Sequence, residues 1–252
     1  MNTSFLRKDR PTLVAMMKSQ KTDDLLIEIN NALLQGADAF GIQLESLVPE
    51  DKNKENYRRI LDAMGEKPAY VTNYIRGNHL DLSDDELINQ LYEIAGCGAK
   101  LIDIRCDSFD RQPDEYTEDL FAAQRQTDVI KNLKEIGADV LMSSHIFRFV
   151  PYDEVRKIAM LQKERGADIV KIVTEANSYE ELIENFRISM LLRQEFGESL
   201  FLCNGSHCSR HRILDPLVGP GMFLVVEDSN AGGNQPGLTN ARQSLRVAGY
   251  DV

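Results

Sequence analysis

The 252-residue chain is predicted to be an α/β protein, a single-domain (β/α)8 TIM barrel spanning residues 1–252 with its active site at the C-terminal ends of the strands. Three observations carry this reading. Strand-like apolar runs recur roughly every 30 residues, and eight of them can be counted. The intervals between them carry helical periodicity, and strict strand–helix alternation implies parallel strands. The chain is also about as long as one closed barrel of eight such units requires, which favours it over an open doubly wound sheet.

The strand runs are Thr12–Met17, Ala39–Leu44, Ala69–Thr72, Leu101–Ile104, Val140–His145, Ile169–Val173, Leu200–Cys203 and Met222–Val226. Between them, Leu25, Leu26, Ile29, Leu33 and Leu34 line one face of a first amphipathic helix. Leu87, Ile88, Leu91, Ile94 and Ala95 line a later one, and Leu182, Ile183, Phe186, Met190 and Leu191 another. Ser83-Asp84-Asp85-Glu86 and Ser178-Tyr179-Glu180-Glu181 read as capping boxes, each serving orphan N–H groups at a helix start. Gly36, Gly65, Gly137 and Gly166 follow helical runs, where a left-handed residue ends the helix. No proline-rich linker or low-complexity segment divides the chain.

Composition narrows the function classes. A net charge of −11 argues against general binding of nucleic acid or anionic membrane, both of which need a basic surface. No apolar stretch is long enough to span a bilayer, and Met1–Pro11 has no apolar signal-peptide core. The four cysteines, Cys97, Cys106, Cys203 and Cys208, make no CxxC pair, so free thiols in a reducing cytoplasm are expected.

Chemistry is expected at the strand ends. Lys171 stands in Gly166-Ala167-Asp168-Ile169-Val170-Lys171-Ile172-Val173, a strand otherwise small and β-branched. Burial disfavours its charged form, and the gain is an amine neutral enough to capture a ketone as a Schiff base. The alternative is a lysine whose head reaches solvent. His145, ending the preceding strand, is placed to move a proton α to the imine. Glu45, Tyr74, Asp103, Arg105 and Asn204 are further polar residues at strand ends. Cys203, His207, Cys208 and His211 cluster after strand seven; their spacing matches no standard zinc motif, and packing or substrate contact is the preferred reading. Asn230–Gly237 reads as a mobile lid, in preference to a phosphate cradle or a plain connection.

Three segments resemble the type I 3-dehydroquinate dehydratase family. Gly166–Ile172, continuing through Ala176-Asn177-Ser178, is similar to the family's lysine strand. Ser143-Ser144-His145-Ile146-Phe147 is similar to its histidine strand, and Arg212, before Val218-Gly219-Pro220-Gly221, falls where the family keeps a carboxylate-binding arginine. The resemblance implies that Lys171 forms an imine with the C3 ketone of 3-dehydroquinate. His145 would remove the C2 proton and protonate the departing C1 hydroxyl, and Arg212 would anchor the carboxylate. It implies no cofactor and no metal, a small carboxylated keto substrate, and a cytoplasmic enzyme, with a homodimer left open.

The substrate shell departs from the family pattern. Glu-x-Arg-x-Asp on strand two becomes Gly41-Ile42-Gln43-Leu44-Glu45, and the strand-three arginine aligns with Tyr74, with Arg76 close by. Asp-x-Glu on strand four becomes Asp103-Ile104-Arg105. The glutamate that orients the histidine would fall near Asn78, and the closing loop reads Asn234-Gln235-Pro236-Gly237-Leu238. Glu45, Tyr74, Arg76, Asp103, Arg105, Arg212, Asn234 and Gln235 are therefore the expected substrate contacts. Lost hydroxyl-binding groups point to altered specificity. The competing readings are a related imine-forming lyase or aldolase acting on another carboxylated ketone, and a catalytically silent ligand-binding barrel.

Overall fold

The computed structural model describes residues 5–219, 221–232 and 234–252. Met1–Ser4 and two residues of the glycine-rich turns, Pro220 and Gly233, lie outside the described residues. The strands are β1 (Thr12–Met17), β2 (Ala39–Gln43), β3 (Ala69–Thr72), β4 (Leu101–Arg105), β5 (Asp139–His145), β6 (Ile169–Glu175), β7 (Ser199–Asn204) and β8 (Met222–Val225). All pairings between them are parallel, and the sheet order is β7-β6-β5-β4-β3-β2-β1-β8. Among the described residues no ladder joins β7 to β8, so the expected barrel is nearly closed, with its seam there.

The helices are α1 (Thr22–Gln35), α2 (Lys54–Ala63), α3 (Asp84–Cys97), α4 (Leu120–Ile136), α5 (Tyr152–Glu164), α6 (Tyr179–Phe196), α7 (Ser209–Leu214) and α8 (Leu238–Val247). Two apolar layers follow from the alternation of side chains along each strand. Inward residues, among them Val14, Met16, Tyr70, Leu101, Leu141, Ile169, Leu200 and Met222, fill the barrel, and Phe5 packs into the same cluster. Outward residues such as Leu13, Phe40, Val71, Ile102 and Val140 meet the helices.

Local expectations hold best where one stripe of a helix is unambiguous. On α3, all five predicted face residues are buried and Ser83 makes a full capping box. At α6 only half of the predicted box forms: Ser178 caps the Glu181 N–H, while Glu181 takes the Asn177 N–H instead of that of Ser178. Two predicted faces need correction. Leu34 on α1 is 80% exposed, and on α6 Ile183 and Met190 are 69% and 60% exposed. A barrel helix offers the sheet one narrow stripe. On α6 that stripe runs through Leu182, Asn185, Ile188, Ser189 and Leu192, which turns Ile183 and Met190 away.

The cysteine expectation is corrected too. Cys97 and Cys106 are free, but Cys203 and Cys208 are disulfide-bonded. The tight turn from β7 into α7, through Gly205 in the left-handed region, brings their Cα atoms to 5.2 Å across five positions. No described helix is long and apolar enough to cross a membrane.

Candidate active site

Register sets the depth of the chemistry. In the β5–β6 ladder Ser143 stands opposite Lys171 and His145 opposite Val173. Because side chains alternate, Ser143, His145, Lys171 and Val173 share the interior face. Strand β6 continues to Glu175, so Lys171 lies within the strand and one layer below His145, not at the strand end as expected. Its side chain is only 5% exposed, which excludes the solvent-reaching alternative.

The Lys171 amine sits in a polar knot made by three strands. Nζ donates to the Tyr74 hydroxyl at 2.6 Å, to that of Tyr70 at 3.0 Å and to Asp103 Oδ2 at 3.1 Å. Asp103 accepts further bonds from Tyr74 at 2.5 Å, from Ser143 at 2.6 Å on its other oxygen, and from Tyr70. Burial lowers the pKa of Lys171, opposed by Asp103 and assisted by the charges of Arg76 and Arg212. Burial pushes the Asp103 carboxyl the other way, but Lys171 and the three hydroxyls outweigh it and hold the group below its ordinary value. The result is an ionised carboxylate beside an amine that gives up its proton more easily than a free lysine.

His145 caps this knot, its ring edge-on to Tyr74 with centroids 4.9 Å apart. Its Nδ1 is 2.7 Å from Glu115 Oε2, which also takes the His145 backbone N–H at 3.2 Å. An ionised carboxylate only accepts, so Nδ1 carries the proton and Nε2 is the unprotonated, basic nitrogen. Burial lowers the imidazole pKa, helped by Lys171 and resisted by Glu115. Burial also raises Glu115, yet the His145 hydrogen bond and charge, with Arg105 and Arg76 behind them, bring it below its usual range. Glu115 sits at φ 49°, a left-handed conformation uncommon for a side-chain-bearing residue. Such strain is found where a fold holds a group in place for a purpose.

This orienting glutamate replaces the expectation at Asn78, whose amide instead ties to the Ser46 and Leu47 carbonyls. Glu115 lies in the long connection from β4 to α4, and no periodicity or motif sets it apart from the acidic residues around it. Glu115→Gln should lower kcat/KM by up to about 100-fold, part of what a positioned base contributes. It should also shift the acid limb. In the wild type that limb lies below the ordinary imidazole value of about 6.5, since burial favours the neutral base. Loss of the Glu115 charge removes a raising influence, so the limb moves to still lower pH. A pH profile of kcat/KM checks this, and an unmoved limb would show that the two groups are uncoupled.

Above the knot lies a cavity of about 230 Å³, room for a small metabolite. One wall is apolar, formed by Met16, Val173, Leu202 and Leu224. The rest is polar: Gln43, Glu45, Thr72, Tyr74, Arg76, His145, Lys171, Asn204, Arg212, Asn234 and Gln235. A Cβ on Gly41 would overlap the Met16 thioether, so Met16 fills the space that a side chain on that strand-two position would take. Glu45, buried against the Thr72 hydroxyl and 3.9 Å from Arg76 Nε, has its pKa raised by burial ahead of these partners.

Arg212 is the group that calls for an anion. It is held by the Cys203 carbonyl at 2.9 Å and the Asn204 side-chain oxygen at 2.5 Å. Among the described residues no carboxylate lies within 4 Å of it, and burial pulls its pKa down to about 10. A partly buried cation without an anion is stabilised by one brought in. In the loop after β8 the Asn234 amide, with its O and N exchanged to satisfy both atoms, pairs with the Gly205 backbone at 3.1 and 3.2 Å, which ties this loop to the one after β7.

Of the expected site residues, Lys171, His145, Arg212, Glu45, Tyr74, Arg76, Asn234 and Gln235 line this cavity, and Asp103 supports it from below. Arg105 does not line it. Its guanidinium is locked on Asp107, with contacts of 2.6, 2.7 and 2.9 Å, and acts at a distance by favouring ionised Glu115. The cluster after β7 separates as well: Cys208 is bonded to Cys203, His211 stacks on Phe186, and His207 meets the Tyr179 ring edge. No group of metal-ligating side chains occurs among the described residues.

Fold and site together define a (β/α)8-barrel protein with a buried lysine and a carboxylate-oriented histidine at one end of a small anion-seeking cavity. The family model described as Type I 3-dehydroquinase matches residues 13–251, and the chain belongs to this family. The 3-dehydroquinate dehydratase of Pyrococcus abyssi (strain GE5 / Orsay) is 31% identical over 136 residues, which cover 53% of this chain and 60% of that protein. Among solved structures, 3-dehydroquinate dehydratase from Geobacillus kaustophilus HTA426 superposes with a TM-score of 0.81 at 16% identity, covering 96% of this chain and 95% of that one. The type I enzyme from Clostridium difficile gives 0.81 at 14% identity, covering 96% and 94%. These structural likenesses speak for the fold.

Proposed function

We propose that this protein dehydrates 3-dehydroquinate to 3-dehydroshikimate through a Schiff base on Lys171. The observation that carries the reading is the pairing, in one cavity, of a buried amine with an oriented histidine and the uncompensated cation Arg212. The neutral Lys171 amine attacks the C3 ketone, one proton is taken up from solvent through the cavity and water leaves, giving a protonated imine. That imine withdraws electrons from C2, and His145 Nε2 takes the C2 proton. The electron pair moves in to expel the C1 hydroxyl, which departs as water with the proton from His145. Water then hydrolyses the product imine, which restores the amine and returns the proton taken up from solvent. The electron sink is the iminium itself, so the chemistry calls on no cofactor.

The direct test mixes the protein with 3-dehydroquinate and follows 3-dehydroshikimate, alongside mass spectrometry of borohydride-reduced protein. Product together with an adduct on Lys171 supports the reading; the absence of both overturns it. One observation favours a second reading, a related imine-forming lyase or aldolase acting on another carboxylated ketone. The wall of Met16, Val173, Leu202 and Leu224 suits a substrate with one apolar face. An adduct with a less hydroxylated cyclic keto acid, and none with 3-dehydroquinate, would select it.

Either reading needs Arg212 as carboxylate anchor. Charge-assisted bonds are worth about 1.5–3 kcal/mol each, so Arg212→Lys should raise KM by about 10–100-fold and change kcat less. Steady-state kinetics check this, and an unchanged KM would place the carboxylate elsewhere, with Arg76 the alternative. The expected cytoplasmic setting stays part of the proposal. The Cys203–Cys208 bond is the feature against it, since such bonds persist in oxidising compartments.

A further inference from the structure

We propose that Tyr74 is a catalytic residue, the proton shuttle of imine formation and hydrolysis at Lys171; this rests on the Schiff-base reading above. Two phenols touch the Lys171 amine and Asp103, but they differ in what else they face. Tyr70 is wholly buried in the barrel interior beside Phe5. Tyr74 lines the cavity, contacts the His145 ring and carries the Arg76 guanidinium over its own ring at 4.4 Å. Its hydroxyl is 2.6 Å from the amine, and Tyr74 and Lys171 both line the space a ketone must enter.

Imine formation needs a proton moved over a short path. When the amine adds to the ketone, nitrogen gains a positive charge and the former carbonyl oxygen a negative one. Tyr74 gives its hydroxyl proton to that oxygen and receives one from nitrogen, which leaves a neutral carbinolamine and an unchanged tyrosine. In the second step Tyr74 again gives its proton to the hydroxyl, which departs as water as nitrogen's lone pair forms the C=N bond of the protonated imine, and one proton from solvent in the cavity refills the phenol. Hydrolysis runs the steps in reverse. Burial, with Asp103 next to it, raises the phenol pKa well above its ordinary value, so a free phenolate is disfavoured. A relay that loses one proton as it gains another never has to become one. Asp103 Oδ2, bonded to the hydroxyl at 2.5 Å and the amine at 3.1 Å, holds both ends in line. This leaves His145 free for the carbon proton, so two proton transfers on neighbouring atoms have separate agents.

The experiment is rapid-quench borohydride trapping with 3-dehydroquinate, which reads the rate at which the Lys171 adduct forms. Tyr74→Phe should slow adduct formation by about 100-fold or more, the scale of a general acid–base group, and slow exchange of the ketone oxygen with ¹⁸O-water to match. Tyr70→Phe removes a hydroxyl from the same two atoms without facing the cavity, and should cost at least tenfold less than Tyr74→Phe. Equal losses would reduce both phenols to scaffolding of the amine and overturn the proposal, as would a Tyr74→Phe protein that traps at the wild-type rate. If the variant does not fold, 3-fluorotyrosine at position 74 keeps the shape and makes the hydroxyl more acidic. Its adduct rate should then differ from that of the wild type, and an identical rate overturns the assignment. Failure of the wild type to form any adduct is a separate result, which removes the Schiff-base reading itself.

Discussion

Lys171→Ala should abolish both turnover and the borohydride-stable adduct. The expected loss in kcat is on the order of 10⁶-fold, the scale reached when a covalent nucleophile is deleted. No other described lysine lines the cavity, so none can replace it. The substitution also leaves the Asp103 carboxylate buried without its cation. Breaking a buried pair costs about 3–5 kcal/mol, within the 5–15 kcal/mol that holds a typical domain together. The variant should thus stay folded with a lowered Tm, and Asp103 should relax by taking up a proton. Calorimetry beside the kinetics separates the two effects, and a folded Lys171→Ala protein with full activity would exclude imine chemistry.

His145→Ala should leave imine formation largely intact and stop the chemistry that follows. A positioned acid–base group contributes about 10²–10⁴-fold, so kcat should fall within that range. The Lys171 adduct should still be trapped, now as the substrate imine and not the product imine, a mass difference of one water. The outcome against the assignment is a variant that traps no adduct, which would move His145 into the carbinolamine step and merge its role with that of Tyr74. Solvent exchange at C2 is a second readout, since the variant should lose it while the ketone oxygen still exchanges.

Much of this protein was open to a reading of its residues because its architecture repeats. Each βα unit is a local pattern, an apolar run followed by a helical stripe, and those signals depend on neighbours a few positions away. The strand bounds agree with the apolar runs to within two residues at every end, as with Ala69–Thr72 and Thr12–Met17. Lys171 was legible for a different reason: a cation among Ile169, Val170, Ile172 and Val173 breaks a rule that burial enforces. His145 followed from its place one strand before it and from the family resemblance, and Arg212 from the resemblance alone.

What the residues alone could not reveal depended on loops and on distances between strands. Glu115 reaches His145 from 30 positions away on an irregular connection, and nothing periodic marks it. Arg105 has the right charge at the right strand end, yet Asp107, two residues on, captures it before any substrate could. Cys203 and Cys208 have no recognised spacing, and only the turn through Gly205 joins them. Tyr74 aligns with a family arginine, and its contact with the amine became visible once β3, β4 and β6 were assembled side by side around one carboxylate. Hydrophobic period and burial cost are properties of short segments, so the chain announces its barrel and its lysine. Which groups share a proton depends on ångström distances between segments up to about a hundred residues apart, and folding alone sets those.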